Sequence, residues 1–165
     1  MRHIRAHRPG PGQRSVWDHP SPPIIEAVEA RIRVRVGGLW LADTSDALQV
    51  LETGHPPAYF IPTRDVMAGM LDPGAGSERC PWKGRMAFWD AFVDGSHFER
   101  VAWSHPDPPA DYEALADHLA FFLDVADEGW VDEVQAKPQP GGFFGGWITP
   151  DLAGPYKGEP GSAGW

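Results

Sequence analysis

Ile32, Val34 and Val36 alternate with Arg31, Arg33 and Arg35, and Gly37-Gly38 follows at once. Apolar side chains at every second position share one face of an extended strand and no face of a helix. A Gly-Gly pair supplies the positive φ that a two-residue return needs, and Leu39-Trp40-Leu41-Ala42 follows as the returning run. The segment predicts a tight, half-buried hairpin and commits the chain to antiparallel sheet.

The same economy runs along the whole chain. Glycine (19) and proline (18) make up roughly 22% of the residues, against a usual share of about 12%, which favours turns and short strands over long helices. Residues 88–93 and 98–103 flank Asp94-Gly95, a second hairpin signal. Ala58-Tyr59-Phe60-Ile61 reads as a strand closed by Pro62, with Phe121-Phe122 and Trp130-Val131 as further strand fragments. Helix is expected only in short pieces. Residues 111–119 are the best candidate and residues 64–71 a briefer one, while Asp43-Thr44-Ser45 caps a turn or two towards Leu51 unless that run is a strand.

With 42% hydrophobic and 12% aromatic residues the chain can bury one core. A flexible basic arm is expected over residues 1–14, a single β domain over 15–135, and a Gly/Pro/aromatic-rich tail over 136–165 that packs on its own domain or on a second subunit. The arm holds Arg2, Arg5, Arg8 and Arg14; without them the net charge of −9 becomes about −13. A body this acidic repels phosphate backbones and disfavours nucleic acid as a partner. One cysteine excludes an intramolecular disulfide and a multi-cysteine zinc site. No apolar run approaches the roughly 18 residues of a membrane span, and the N-terminus carries no apolar signal segment, so the expected location is the cytoplasm.

Several segments together carry a resemblance. They are Ser15-Val16-Trp17-Asp18-His19-Pro20 with Pro22-Pro23, the run from Leu51-Glu52-Thr53-Gly54-His55-Pro56-Pro57 to Pro62, Cys80-Pro81-Trp82-Lys83-Gly84, and Ala102-Trp103-Ser104-His105-Pro106. In combination they resemble the bacterial domain-of-unknown-function family 427, also labelled nucleotidyltransferase-like, over about residues 15 to 135. The resemblance implies a mainly β fold: a compact antiparallel domain of β-tent or barrel-like type, with one or two short helices. Several β-tent relatives bind small molecules in an aromatic cage, and many hold zinc through paired Cys-x-x-Cys motifs. This chain has no such pair, and it lacks the Gly-Ser and paired-aspartate motif of nucleotidyltransferases. Ala47 stands where members often have Arg, and Gly54 where Ser is common.

Five sets of residues carry candidate chemistry. Glu52 and His55 are spaced to share a helical turn, so that a carboxylate orients an imidazole for acid-base work; the alternative is a glutamate held in a backbone turn beside Pro56-Pro57. Cys80 is a nucleophile only if a cation such as Lys83 lowers its pKa and a base is positioned; otherwise it is a small apolar filler. Lys83, between Trp82 and Gly84, suits anion binding. Trp17, Tyr59, Trp82, Trp89 and Trp103 suit the walls of a ligand cage or plain core packing. Asp43, Asp65 and Arg64 are candidates for a polar rim or for turns. The glycines of residues 141–146 are not a phosphate loop, because no Lys-Ser/Thr follows.

No metal and no cofactor is expected. The favoured reading is a small-molecule-binding domain for an anionic or polar metabolite, in an aromatic-lined pocket between its sheets. One alternative is an enzyme using Glu52 as acid or base with His55 or Cys80 assisting, on a nucleotide-like substrate. The other is an interaction protein whose aromatic tail docks on a partner or forms a homodimer.

Overall fold

The computed structural model describes residues 4–165. Met1, Arg2 and His3, part of the expected basic arm, lie outside the described residues. Six strands come first: β1 (Arg14–Ser15), β2 (Ile24–Ala27), β3 (Ile32–Val36), β4 (Leu39–Thr44), β5 (Leu48–Leu51) and β6 (Ala58–Pro62). Three long ones follow, β7 (Leu71–Cys80), β8 (Gly84–Val93) and β9 (Ser96–Ser104), then β10 (His118–Phe121) and β11 (Glu128–Val131). Four two-residue strands complete the chain: β12 (Val134–Gln135), β13 (Lys137–Pro138), β14 (Trp147–Ile148) and β15 (Leu152–Ala153). The fold is mainly β.

Both hairpins read from the sequence form in the expected register. Val36 pairs with Leu39 across Gly37 (φ 60°) and Gly38 (φ 82°), and Val93 pairs with Ser96 across Asp94 (φ 48°) and Gly95 (φ 80°). Two consecutive positive φ angles match the right-handed twist of the flanking strands.

The larger sheet has seven strands in the order β2-β5-β6-β10-β9-β8-β7, and a four-stranded sheet runs β12-β11-β3-β4. Along β6 the side chains split by the period of two. Tyr59 and Ile61 enter the main core with Ile32, Val34 and Val36 of β3, while Phe60 points to a second cluster. That second cluster holds Phe60, Phe88, Trp103, Leu115 and Phe122 on the opposite face of the large sheet. The seven-stranded sheet is therefore buried on both faces, which explains why its central strands carry unbroken apolar runs.

Helix occurs only in short pieces, as expected, but with different bounds. Residues 111–119 do not form one helix: a 3-10 segment spans Ala110–Leu115, broken by non-helical dihedrals at Tyr112 (φ −120°, ψ 15°), and β10 begins at His118. Leu115 belongs to the second cluster and Leu119 to the main core, whereas one helix would have aimed both the same way. Over residues 64–71 only Thr63–Asp65 is 3-10, because the Met67 N–H donates to the Leu41 carbonyl (2.8 Å) and Leu71 opens β7. Beyond Asp43 the strand alternative holds: Thr44 Oγ1 accepts from the Asp46 N–H (3.0 Å) in a turn, and β5 follows.

The tail lies on the domain. Trp147 is fully buried in the main core, and its indole N–H donates to the Phe121 carbonyl (3.1 Å). The preceding arm meets the end of the tail, where β1 pairs in parallel with β15 and the His7 N–H donates to the Gly154 carbonyl (2.8 Å). No helix among the described residues is long and apolar enough to cross a membrane.

Candidate ligand-binding site

A cavity of about 230 Å³ opens on the second face of the large sheet, away from the four-stranded sheet. The expected position between the sheets is thus corrected; that space is filled by the main core. Three parts of the chain build the walls.

The first is the tip of the β7–β8 hairpin. Cys80 pairs with Gly84, leaving Pro81-Trp82-Lys83 as a three-residue loop, and Gly84 takes the left-handed conformation (φ 82°) that closes such loops. The Lys83 N–H donates to Cys80 Sγ (3.4 Å), so the thiol serves the turn while lining the cavity. Lys83 and the partly exposed Trp82 ring are carried to the cavity by the same loop.

The second is the turn after β5. The His55 N–H donates to the Glu52 carbonyl (3.0 Å), closing a turn with Gly54 at φ 83°. A Cβ on Gly54 would lie 2.7 Å from the Trp17 ring, so a side chain has no room here unless Trp17 moves. The turn brings Glu52 Oε2 to 3.8 Å from His55 Nε2, an electrostatic contact too long for a direct hydrogen bond. Burial, helped by the Lys157 and Lys83 charges, lowers the His55 pKa from 6.5 to about 4.

The third is the tail, which the sequence did not mark as part of a site. Gln139, Phe143 and Phe144 line the cavity, and the His55 ring meets Phe144 edge-on at 4.7 Å. Gly145 (φ 74°) lets this loop lie on the Trp103 ring, which a Cβ there would strike.

Val50, Ala58, Met86 and Trp103 form the apolar floor, together with His105. His105 is 0% exposed, and burial together with the Lys83 charge lowers its pKa from 6.5 to about 4. Its Nδ1 lies 3.2 Å from the Arg85 carbonyl, while its Nε2 has no partner among the described residues. His105 stands in the Ala102–Pro106 motif, which was the only sequence signal for it.

Of the residues singled out from sequence, Glu52, His55, Cys80, Trp82, Lys83 and Trp103 meet at the cavity. Tyr59, Trp17 and Trp89 do not; the Trp89 indole N–H donates to Ser104 Oγ (3.0 Å). Tyr59 packs on Trp147 in the main core (5.2 Å between rings), and burial raises its phenol pKa to about 12. Trp17 donates to the Pro155 carbonyl (2.7 Å) and meets Trp165 edge-on. Asp43 pairs with Arg31, Asp65 accepts from Thr44, and Arg64 pairs with Asp46, all away from the cavity.

A second cavity of about 240 Å³ adjoins the first through Glu78, Met86 and Phe143. No cluster of three or more histidine, cysteine or acidic side chains among the described residues could hold a metal ion. No curated protein matches the chain. Residues 24–133, more than half of the chain, match the family model NTP_transf_9, described as Domain of unknown function (DUF427), and the chain belongs to that family.

Proposed function

We propose that the protein is a small-molecule-binding domain whose cavity takes an anionic or polar metabolite. One observation carries this reading: Lys83 stands beside two imidazoles, the half-buried His55 and the fully buried His105, in a single cavity lined by Trp82, Trp103, Phe143 and Phe144. A cation at the edge of an apolar cavity attracts an entering anion more strongly than it would in open water. The aromatic walls contribute area, and the few polar groups fix orientation.

The test is a thermal-shift screen against nucleotides, organic acids and sugar phosphates. A ligand at 100 times its dissociation constant adds about 2.7 kcal/mol of stability, a shift of several degrees at this size. Lys83→Ala is expected to weaken the hit by roughly 10- to 100-fold, the worth of a charged hydrogen bond, while the unliganded protein melts nearly as before. Equal affinity in the variant removes Lys83 from the site. No hit across the panel removes the reading.

The 3.8 Å approach of Glu52 to His55 favours a second reading, an enzyme with Glu52 as acid or base. In that case Glu52→Gln lowers turnover of the bound ligand by about 10²- to 10⁴-fold while binding is kept. Turnover that survives the change excludes Glu52 from the chemistry.

A further inference from the structure

The tail dictates which nitrogen of His55 carries the proton. The Gly146 N–H can only donate and the Lys157 carbonyl can only accept. Between them the buried Gln139 amide has one orientation: Oε1 accepts from Gly146 (3.0 Å) and Nε2 donates to Lys157 (2.8 Å). The remaining Nε2 hydrogen goes to His55 Nδ1, 3.0 Å away. Nδ1 is therefore the acceptor, and the neutral ring carries its proton on Nε2. Burial and the nearby Lys157 and Lys83 charges keep the ring neutral at pH 7.

That N–H is open. Nε2 has no hydrogen-bond partner among the described residues, and it is not one of the buried side-chain atoms left without one. The Glu52 carboxylate stands in the same position, with no donor on it among the described residues and no place among those buried atoms. The two side chains are 14% (His55) and 25% (Glu52) exposed, and both line the cavity. Oε2 and Nε2 lie 3.8 Å apart, too far to satisfy each other directly. This wall thus offers a donor and an acceptor side by side, each with an unused hydrogen-bonding direction.

We propose that this pair selects a carboxamide: the ligand's amide carbonyl takes the His55 Nε2–H, its N–H goes to Glu52, and its acidic end rests on Lys83. The inference rests on the binding function proposed above and names the group that the site reads. A carboxylate in the same place turns an oxygen toward Glu52 and is repelled, while an amidine turns an N–H toward the His55 N–H. A group with an acceptor beside a donor satisfies both, which is how a polar site rejects a near-isostere. The length of the ligand is not limited by this wall, because the second cavity of about 240 Å³ continues past Glu78 and Met86. Gln139 acts through His55, as a positioning residue.

Two measurements on the intact protein test this. Nitrogen-15 imidazole correlation spectra at pH 7 should show His55 protonated on Nε2; a proton on Nδ1 instead overturns the proposal. Gln139→Glu, whose carboxylate only accepts, should bring a proton onto Nδ1, and an unchanged tautomer overturns the role of Gln139. Calorimetric titration then compares the monoamides of succinic, glutaric and the benzenedicarboxylic acids with their parent diacids. At least one monoamide should bind about tenfold or more tightly than its diacid. Glu52→Gln, whose amide donates as well as accepts, should shrink that preference by tightening the diacid while the monoamide stays within a few-fold. Equal or weaker binding of every monoamide overturns the selection, as does a preference that survives Glu52→Gln. If no monoamide binds while another ligand of the broad screen does, this inference falls and the binding reading stands. Should that whole screen fail as well, both fall. The native spectra and the comparison with diacids need no substitution, so a variant that folds poorly does not shield the proposal.

Discussion

Acidification from pH 7 to pH 4 is expected to cost the protein roughly 6 kcal/mol of stability, about 3 from each of His55 and His105. Both imidazoles fall from a pKa of 6.5 to about 4 on folding. Between those values the unfolded chain binds protons that the folded protein refuses. The contribution is therefore fully present above about pH 6.5 and drains away as the pH falls toward 4. His19 and His118 are lowered by burial too and act in the same direction. Against a total stability of about 5–15 kcal/mol, a loss of this size brings the protein close to acid unfolding. Urea titrations at half-unit steps from pH 7.5 to 4 check it through the midpoint. A midpoint that stays level down to pH 4.5 would rule out neutral buried imidazoles. Because the Lys83 charge lowers both values, Lys83→Ala should make the decline shallower.

Trp147→Ala should cost about 3–5 kcal/mol, the range for truncating a buried aromatic side chain. The ring is fully buried against Tyr59, and the space it fills is bounded by Gly129, where a Cβ would come within 2.9 Å of it. The substitution also removes the indole N–H that donates to the Phe121 carbonyl. The effect reaches further than stability. Trp147 follows directly on Gly146, whose N–H orients Gln139, so freeing this anchor loosens one wall of the cavity. Denaturant midpoints measure the first consequence and loss of ligand-induced stabilisation the second. A cost under about 1 kcal/mol would show that the tail is not held by this residue.

What was legible in the sequence was what the chain fixes locally. The two hairpins depend on a period of two and on turn residues that no distant partner can replace, and both were read correctly. The short helix near residue 111 was read as running on to Leu119 because the apolar spacing fits, while burial on opposite faces of a sheet is decided by strands far along the chain. The cavity divides in the same way. Glu52, His55, Cys80, Trp82, Lys83 and Trp103 lie in segments that the resemblance marked. Gln139, Phe143 and Phe144 lie beyond the matched residues 24–133, in a glycine-rich stretch with no local signature of a site. His105 lay within a quoted motif, but its place beside the Arg85 carbonyl is set by packing that no pattern in the sequence announces.

The contact between the arm and the tail bears on how the molecule comes into being. The Gln13 amide reaches the Leu152 carbonyl across 139 positions of chain, beside the parallel pairing of β1 with β15. Contacts this distant pay their loop-closure entropy before they return any energy, so they form late and slowly. On a ribosome the large sheet can assemble while the segment carrying Gln139 and Phe144 is still unmade. The nascent domain then passes through a stage in which Trp103 and Phe122 lack their cover, the interval in which it is most exposed to aggregation and to chaperones.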